Sequence, residues 1–273
     1  MTLGAALSAS GVVRRRASTA GGDEASTRLR VAVITAALVA VPAIWALVAW
    51  SNAFGTAVVS PLATIKELHG QWSVLWLNVQ PTLWATLIGV GVLASITAIG
   101  AVFVALLPAL SAPLSGLSIV VGTLPLIVIS PILSLFMPRG RPLVSTMCVM
   151  AGLVPIGAML SGMARVGARG REDLGALYGA SRLRWWRTVG FWQTVPVLDI
   201  GIRAMVPYCF VGSIVAEFSG GSAGVGIGEV IENSLFSYQP PLLWAAIVLA
   251  ATGSLCLLGV ATLVMAPLRR RVR

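Results

Sequence analysis

Charge is what this chain has least of. Of its 273 residues only 10% are Asp, Glu, Lys or Arg, where a soluble domain usually carries about 25%. So little charge excludes a water-solvated core for most of the length and makes a bilayer the solvent. Lysine is nearly absent: Lys66 stands alone and is followed by Glu67. That excludes the Gly-x-x-x-x-Gly-Lys-Ser/Thr loop that cradles nucleotide phosphates. The single histidine, His69, has no Cys or His at ligand spacing, so no metal site is expected. Three cysteines, Cys148, Cys209 and Cys256, all lie in apolar segments. A disulfide framework needs paired cysteines in exposed loops, so these read as small packing residues. Acids number nine, and apart from Glu67 beside Lys66 and His69 none stands near a Lys or His; no chain of carboxylates or His runs through the apolar stretches to relay protons. The net charge of +10 does not form a face that would suit nucleic acid, because the arginines sit at the ends of apolar runs.

What the chain has instead is hydrophobic length: 57% of residues are apolar and the mean hydropathy is +0.92. A helix needs ~20 apolar residues to cross a hydrocarbon core of roughly 30 Å. Six stretches meet that length, at about 31–50, 81–107, 114–137, 143–163, 200–218 and 242–266. The expected fold is an all-α membrane protein with about six transmembrane helices. Pro42, Pro125, Pro131 and Pro155 fall inside these runs, which membrane helices tolerate. Only PRGRP separates the third and fourth stretches, which predicts a tight helical hairpin. Between the first two, SPLATIKELHGQWSVLWLNVQ carries Trp72 and Trp76 four residues apart, as an amphipathic helix at the membrane interface would. Small-residue pairs such as Gly91/Ser95 and Gly157/Ser161 permit close helix packing but are common by chance in so Ala- and Gly-rich a chain.

Arginine placement orients the spans. With both termini in the cytoplasm, all basic residues except Lys66, Arg139 and Arg141 lie inside. The expected localisation is therefore a cell membrane, multi-pass. Residues 1–30, rich in Ala, Ser, Thr and Gly, read as a disordered cytoplasmic tail. Residues 31–268 read as the transmembrane domain and 269–273 as a basic cytoplasmic tail.

The segment between spans four and five, 164–198, is far longer than a connector needs. Its centre, REDLGALYGASRLRWWRTVGFWQTVP (Arg171–Pro196), mixes charge, glycine and tryptophan. As a helix, Leu174, Leu177, Tyr178 and Ala180/Ser181 recur at three- and four-residue steps. Glu172 and Asp173 stand where a helix N-terminus favours negative charge, and Gly179 suits a helix end. A second short helix with Trp185 and Trp186 then leads to span five. A short helix parallel to the membrane can dock in another protein's groove; an interfacial connector without a partner has the same pattern.

The order of these residues resembles the EAA loop of ABC importer permeases: Glu-Ala-Ala, three residues, Gly, nine residues, then Ile-x-Leu-Pro. Aligned on Gly179, Asp173 takes the Glu position, Leu174 and Gly175 the Ala positions, and Val189 the Ile position. Phe191 and Trp192 stand at the Leu and Pro positions, and Gly175 replaces an Ala. Gly179, Ala180, Ser181 and Arg182, followed by Trp185, Trp186, Pro196 and GIRAM, are similar to the nitrate/sulfonate/taurine import group. So are VAEFSGGSAGVGIGEVI (Val215–Ile231) and SPLATIKEL (Ser60–Leu68). The resemblance implies a type I ABC importer permease fold in a cell inner membrane, with a coupling loop built on Asp173, Leu174, Gly175, Tyr178, Gly179, Ala180, Ser181 and Arg182. It implies three protein partners: a separate ATP-binding subunit, a second permease subunit (a homodimer in the simplest case) and an extracytoplasmic substrate-binding protein. ATP and Mg would then sit on the partner, with no cofactor on this chain.

Residues expected along a translocation pathway are Thr123, Ser130, Ser134, Ser213 and Glu217, whose oxygens suit a small polar or anionic solute. Each has a plainer reading as a helix-packing residue or, for Glu217, a carboxylate reaching the outer surface. Arg203 is placed to snorkel or to pair with Asp199 four residues earlier. A stand-alone channel or secondary carrier and a membrane-embedded lipid-modifying enzyme are the rival readings.

Overall fold

The computed structural model describes residues 29, 32–33, 35–37, 39–170, 184 and 186–271, with the backbone alone described over 167–170. The coupling-loop residues Asp173, Leu174, Gly175, Tyr178, Gly179, Ala180, Ser181 and Arg182 lie outside the described residues, as do Trp185 and most of the N-terminal tail. The described secondary structure is entirely helical. That is the expected answer for an apolar chain in lipid, where each backbone N–H and C=O must find its partner within the segment.

The chain divides into two compact units, Met1–Ala63 and Thr64–Arg273. In the first, α1 (Thr35–Ser51) is apolar but shorter than a full span. The Trp45 indole donates to the Val59 carbonyl at 2.9 Å. Helix α2 (Pro61–Gly70) starts on Pro61, whose missing N–H suits a first helical position, and the Ser60 hydroxyl accepts from the Ala63 N–H at 3.3 Å.

The second unit holds the long helices. Helix α3 (Trp72–Leu106) has 35 residues, about 52 Å of rise against a core of roughly 30 Å. It begins nine residues before the predicted span. The interfacial helix expected over 60–80 is instead α2 plus the first turns of α3, with Pro81 inside the helix and Trp72 stacked on Trp76 at 5.5 Å. The buried positions Leu75, Val79, Thr82, Thr86, Gly89, Leu93, Thr97, Ala101 and Val104 recur at three and four residues and form its inner face. Trp84, Ile88 and Ile99 are exposed on the other sides, as a lipid-facing helix requires.

The predicted third span is not one helix. Helices α4 (Ser111–Thr123) and α5 (Leu126–Leu133) are bent by 86°. Leu124 is extended (ψ 127°) and Pro125 follows it, the backbone state that proline imposes on the residue before it. The hairpin expected around PRGRP is accordingly a short α5, a turn with Gly140 at φ 96°, and then α6 (Arg141–Gly170).

Helix α6 is the centre of the unit: 61% of its apolar window is buried, against 6% for α9 (Pro240–Arg270). It packs on α3, α4 and α7 (Phe191–Ala216). Close approach rests on glycine. A Cβ on Gly152 would sit 2.2 Å from Leu93 Cδ2, and one on Gly212 of α7 2.7 Å from the Met147 carbonyl. Gly157 likewise abuts Ser118, whereas Gly91 faces open space.

A π-helical turn, Trp186–Gly190, leads into α7, which therefore starts nine residues before the predicted fifth span. Phe191 and Trp192 stand in its first turn, edge-on to one another at 5.3 Å. A second π-helical turn, Glu217–Gly221, ends α7, and α8 (Ile227–Phe236) and α9 follow. Among the described residues four helices are long and apolar enough to cross a membrane, Trp72–Leu106, Arg141–Val166, Trp186–Gly221 and Pro240–Arg270. The bent α4–α5 pair makes a fifth if it counts as one span. Cys148 and Cys209 are buried as expected, but Cys256 is exposed on α9.

Candidate functional site

The polar residues of the second unit converge where α7 ends. Asn78, Thr82 and Thr86 follow one another at four-residue steps on α3 and so share a face. Ser213 and Glu217 have the same spacing at the end of α7. The Thr86 and Ser213 hydroxyls meet at 2.7 Å, one donating to the other, and each also lies within hydrogen-bond distance of a carbonyl one turn back on its own helix. Glu217 is 1% exposed. Its Oε2 accepts from the Thr82 hydroxyl at 2.9 Å and from the Gly228 N–H at 2.9 Å.

Helix α8 explains why the carboxylate is there. The first N–H groups of a helix have no intrahelical acceptor and together carry a partial positive charge. Three successive ones are satisfied by side chains from elsewhere in the unit: Gly226 N–H by Asn78 Oδ1 at 3.0 Å, Ile227 N–H by Thr82 Oγ1 at 3.0 Å, and Gly228 N–H by Glu217. Thr82 thus donates to the carboxylate and accepts from the backbone, and the two helices and the start of α8 become one hydrogen-bonded clasp. Burying a carboxylate costs several kcal/mol, which these short hydrogen bonds and the helix terminus offset.

Glycine makes room for the clasp. Gly226 has φ 155° and ψ 150°, a region nearly confined to glycine, and a Cβ there would lie 2.4 Å from Glu217 Cδ. Gly228 is equally tight, with a would-be Cβ 2.6 Å from the Ile214 carbonyl. Around the turn, the Gly140 N–H donates to the Gly221 carbonyl at 2.8 Å, Ser130 to the Ala216 carbonyl at 3.3 Å, and Ser222 to Glu229.

Ser130, Ser213 and Glu217 are therefore brought to one region. The Thr123 and Ser134 hydroxyls instead donate to the Val120 and Pro131 carbonyls on their own segments. Glu217 does not reach the surface. It is held inward under the glycine-rich turn. Asn78, Thr82 and Gly228 were not singled out from sequence, although the stripe 78, 82, 86 carries a readable signal as a polar four-residue repeat in an apolar run; Gly226 belongs to the Gly224-Val225-Gly226 element of the resemblance.

A second charged group lies toward the other end of α7. Arg203 pairs with Asp199 through two contacts of 3.1 and 3.0 Å, and Arg269 of α9 reaches the same carboxylate at 3.8 Å. No group of three or more His, Cys, Asp or Glu suited to a metal exists among the described residues. What the geometry provides is a set of braced helices with polar ties at both ends.

The chain is similar to an ABC transporter permease. The relative is the "Probable ABC transporter permease protein" of Haemophilus influenzae, 26% identical over 215 residues, which cover 78% of this chain and 87% of that protein. No family model matches. The similarity, together with the apolar helices, supports a multi-pass permease subunit of an ABC transporter. It marks a transport subunit and not an enzyme, which removes the lipid-modifying reading.

Proposed function

We propose that the chain is the transmembrane subunit of an ATP-driven importer of the nitrate/sulfonate/taurine type, moving a small polar or anionic solute inward with both of its termini in the cytoplasm. The observation that carries this reading is the likeness to a permease over 215 residues. The arginine-rich segment 164–198 and the absence of a nucleotide-binding loop are consistent with it. ATP and Mg are then held by a partner ATPase, a second permease subunit (the simplest being another copy) completes the pathway, and an extracytoplasmic binding protein delivers the solute.

Helix α7 is the mechanical link in this reading. It begins at Phe191, within the proposed coupling segment 164–198, and continues for 26 residues, about 39 Å, to the Glu217 clasp. A push on the loop by the closing ATPase pair is passed along this helix. At the far end the clasp ties that motion to α3 and α8 through named hydrogen bonds, so these elements tilt together as the pathway changes its open side.

Purification of the tagged chain from its own host tests this. An ATP-binding subunit is expected to accompany the native chain and to be lost from an Asp173→Arg/Gly179→Trp variant that still elutes as a folded protein. A chain that arrives alone, or an ATPase still bound to the variant, overturns the coupling-loop assignment.

A further inference from the structure

Helices α3, α7 and α9 enclose a groove of about 230 Å³ with aliphatic walls, among them Leu87, Val90, Met205, Val206, Val260 and Val264. An apolar void of about 150 Å³ already takes up a benzene ring. Val260 and Val264 are 53% and 66% exposed, so the groove opens sideways along α9. From Leu257 to Met265 its wall on α9 runs eight residues, about 12 Å of rise.

One end of the groove is charged. Arg269 lies one turn beyond Met265 on α9, and Arg203 stands next to Ile202 on α7, both neighbours being wall residues. Among the described residues Asp199 is the acid these two arginines share, so the cluster keeps one positive charge. Arg269 is the less committed: its Nε lies 3.8 Å from the carboxylate and has no hydrogen-bond acceptor. On α3, Leu87, Val90, Ala94 and Thr97 share a face by their spacing, and the Thr97 hydroxyl is buried with no partner.

An aliphatic slot with a positive end matches an acyl chain below an anionic headgroup. We propose that this groove holds one chain of an anionic phospholipid, its phosphate on Arg203 and Arg269, in the leaflet that contains the C-terminal end of α9. A zwitterionic lipid brings its own cation toward a cluster that is already positive, so an anionic headgroup is preferred. The bound lipid would bridge α7 and α9, adding apolar contact to the least buried of the four candidate spans.

The test uses the full chain, with whatever subunits accompany it, reconstituted in nanodiscs of phosphatidylcholine with a minority of phosphatidylglycerol. Lipid retained after a delipidating detergent wash is counted by mass spectrometry. Phosphatidylglycerol is expected to be retained in preference to phosphatidylcholine. Arg269→Gln should lower that preference about tenfold, the factor carried by one charge-assisted hydrogen bond. Arg269→Lys should keep most of it, and Val264→Trp, which fills the mouth without touching the arginines, should abolish retention. Equal retention of the two lipids overturns the proposal, as does a Lys variant that behaves like Gln or a Trp variant that retains lipid normally. A cross-link from Val260→Cys to a second copy also overturns it, since protein would then cover the groove.

Discussion

Helix α7 and the turn that ends it carry two buried acids that are neutralised in opposite ways. Asp199 is met by two guanidinium groups whose side chains are 34% and 38% exposed. Glu217, five turns further on, is met by a hydroxyl and a backbone N–H, with no arginine or lysine paired to it among the described residues. The difference follows from position. At the arginine-rich end long side chains can snorkel to water and still reach a carboxylate. At the other end the carboxylate is closed in, and what neutralises it must be built into the backbone, as the N-terminus of α8 and the glycines that let it approach. An ion pair tolerates small shifts of its partners. A clasp of three consecutive N–H groups does not.

The comparison can be broken hardest at Gly226. Gly226→Ala places a Cβ 2.4 Å from Glu217 Cδ and forces a left-handed φ on an L-residue. It is expected to destabilise the chain by about 3 kcal/mol or more, read as a lower melting temperature of the purified protein or as loss of folded material. Glu217→Ala comes next: it leaves Gly228 N–H buried without an acceptor, at about 1–3 kcal/mol, while the Thr82 hydroxyl keeps the Asn78 carbonyl at 3.2 Å. Thr82→Val removes the shared hydroxyl, and the double variant should show a coupling of about 0.5–3 kcal/mol in a thermal-stability cycle. Additive effects would mean that the two residues act separately. The smallest effect is expected at Asp199→Asn, about 1 kcal/mol because the pairs are partly solvated. Its size should shrink as salt is raised, whereas the Glu217→Ala effect should not change. Equal salt dependence at the two sites would erase the distinction between them.

Much of the helical framework could be read in advance, and the errors have physical causes. The apolar runs around α3, α6, α7 and α9 were legible because a bilayer demands length and hydrophobicity, both visible in one dimension. Their starts were misplaced at α3 and α7. Pro81 is the first residue of the second expected span and Pro196 lies four residues before the fifth, yet both lie inside helices. The 86° break at Leu124–Pro125 was missed for the complementary reason. Proline is accommodated by some membrane helices and bends others, and packing decides which. In the candidate site, Ser213 and Glu217 were singled out individually, but their partner Thr82 is 135 residues from Glu217 in sequence. Thr123 and Ser134 carry the same chemistry as Ser130 and differ only in where their helices turn.

By composition and order alone, the chain is bound to a membrane: it lacks the charge to face water, and its long apolar runs leave helix as the backbone state that lipid permits. Arginine placement and the missing nucleotide loop were equally plain from the letters, because each depends on residue type at known spacing. Which acid would be paired by arginine and which by backbone was decided only in three dimensions. A carboxylate's neutralisation depends on donors within about 3 Å, and for Glu217 those donors come from helices α3 and α8, which only the folding of the whole unit brings together.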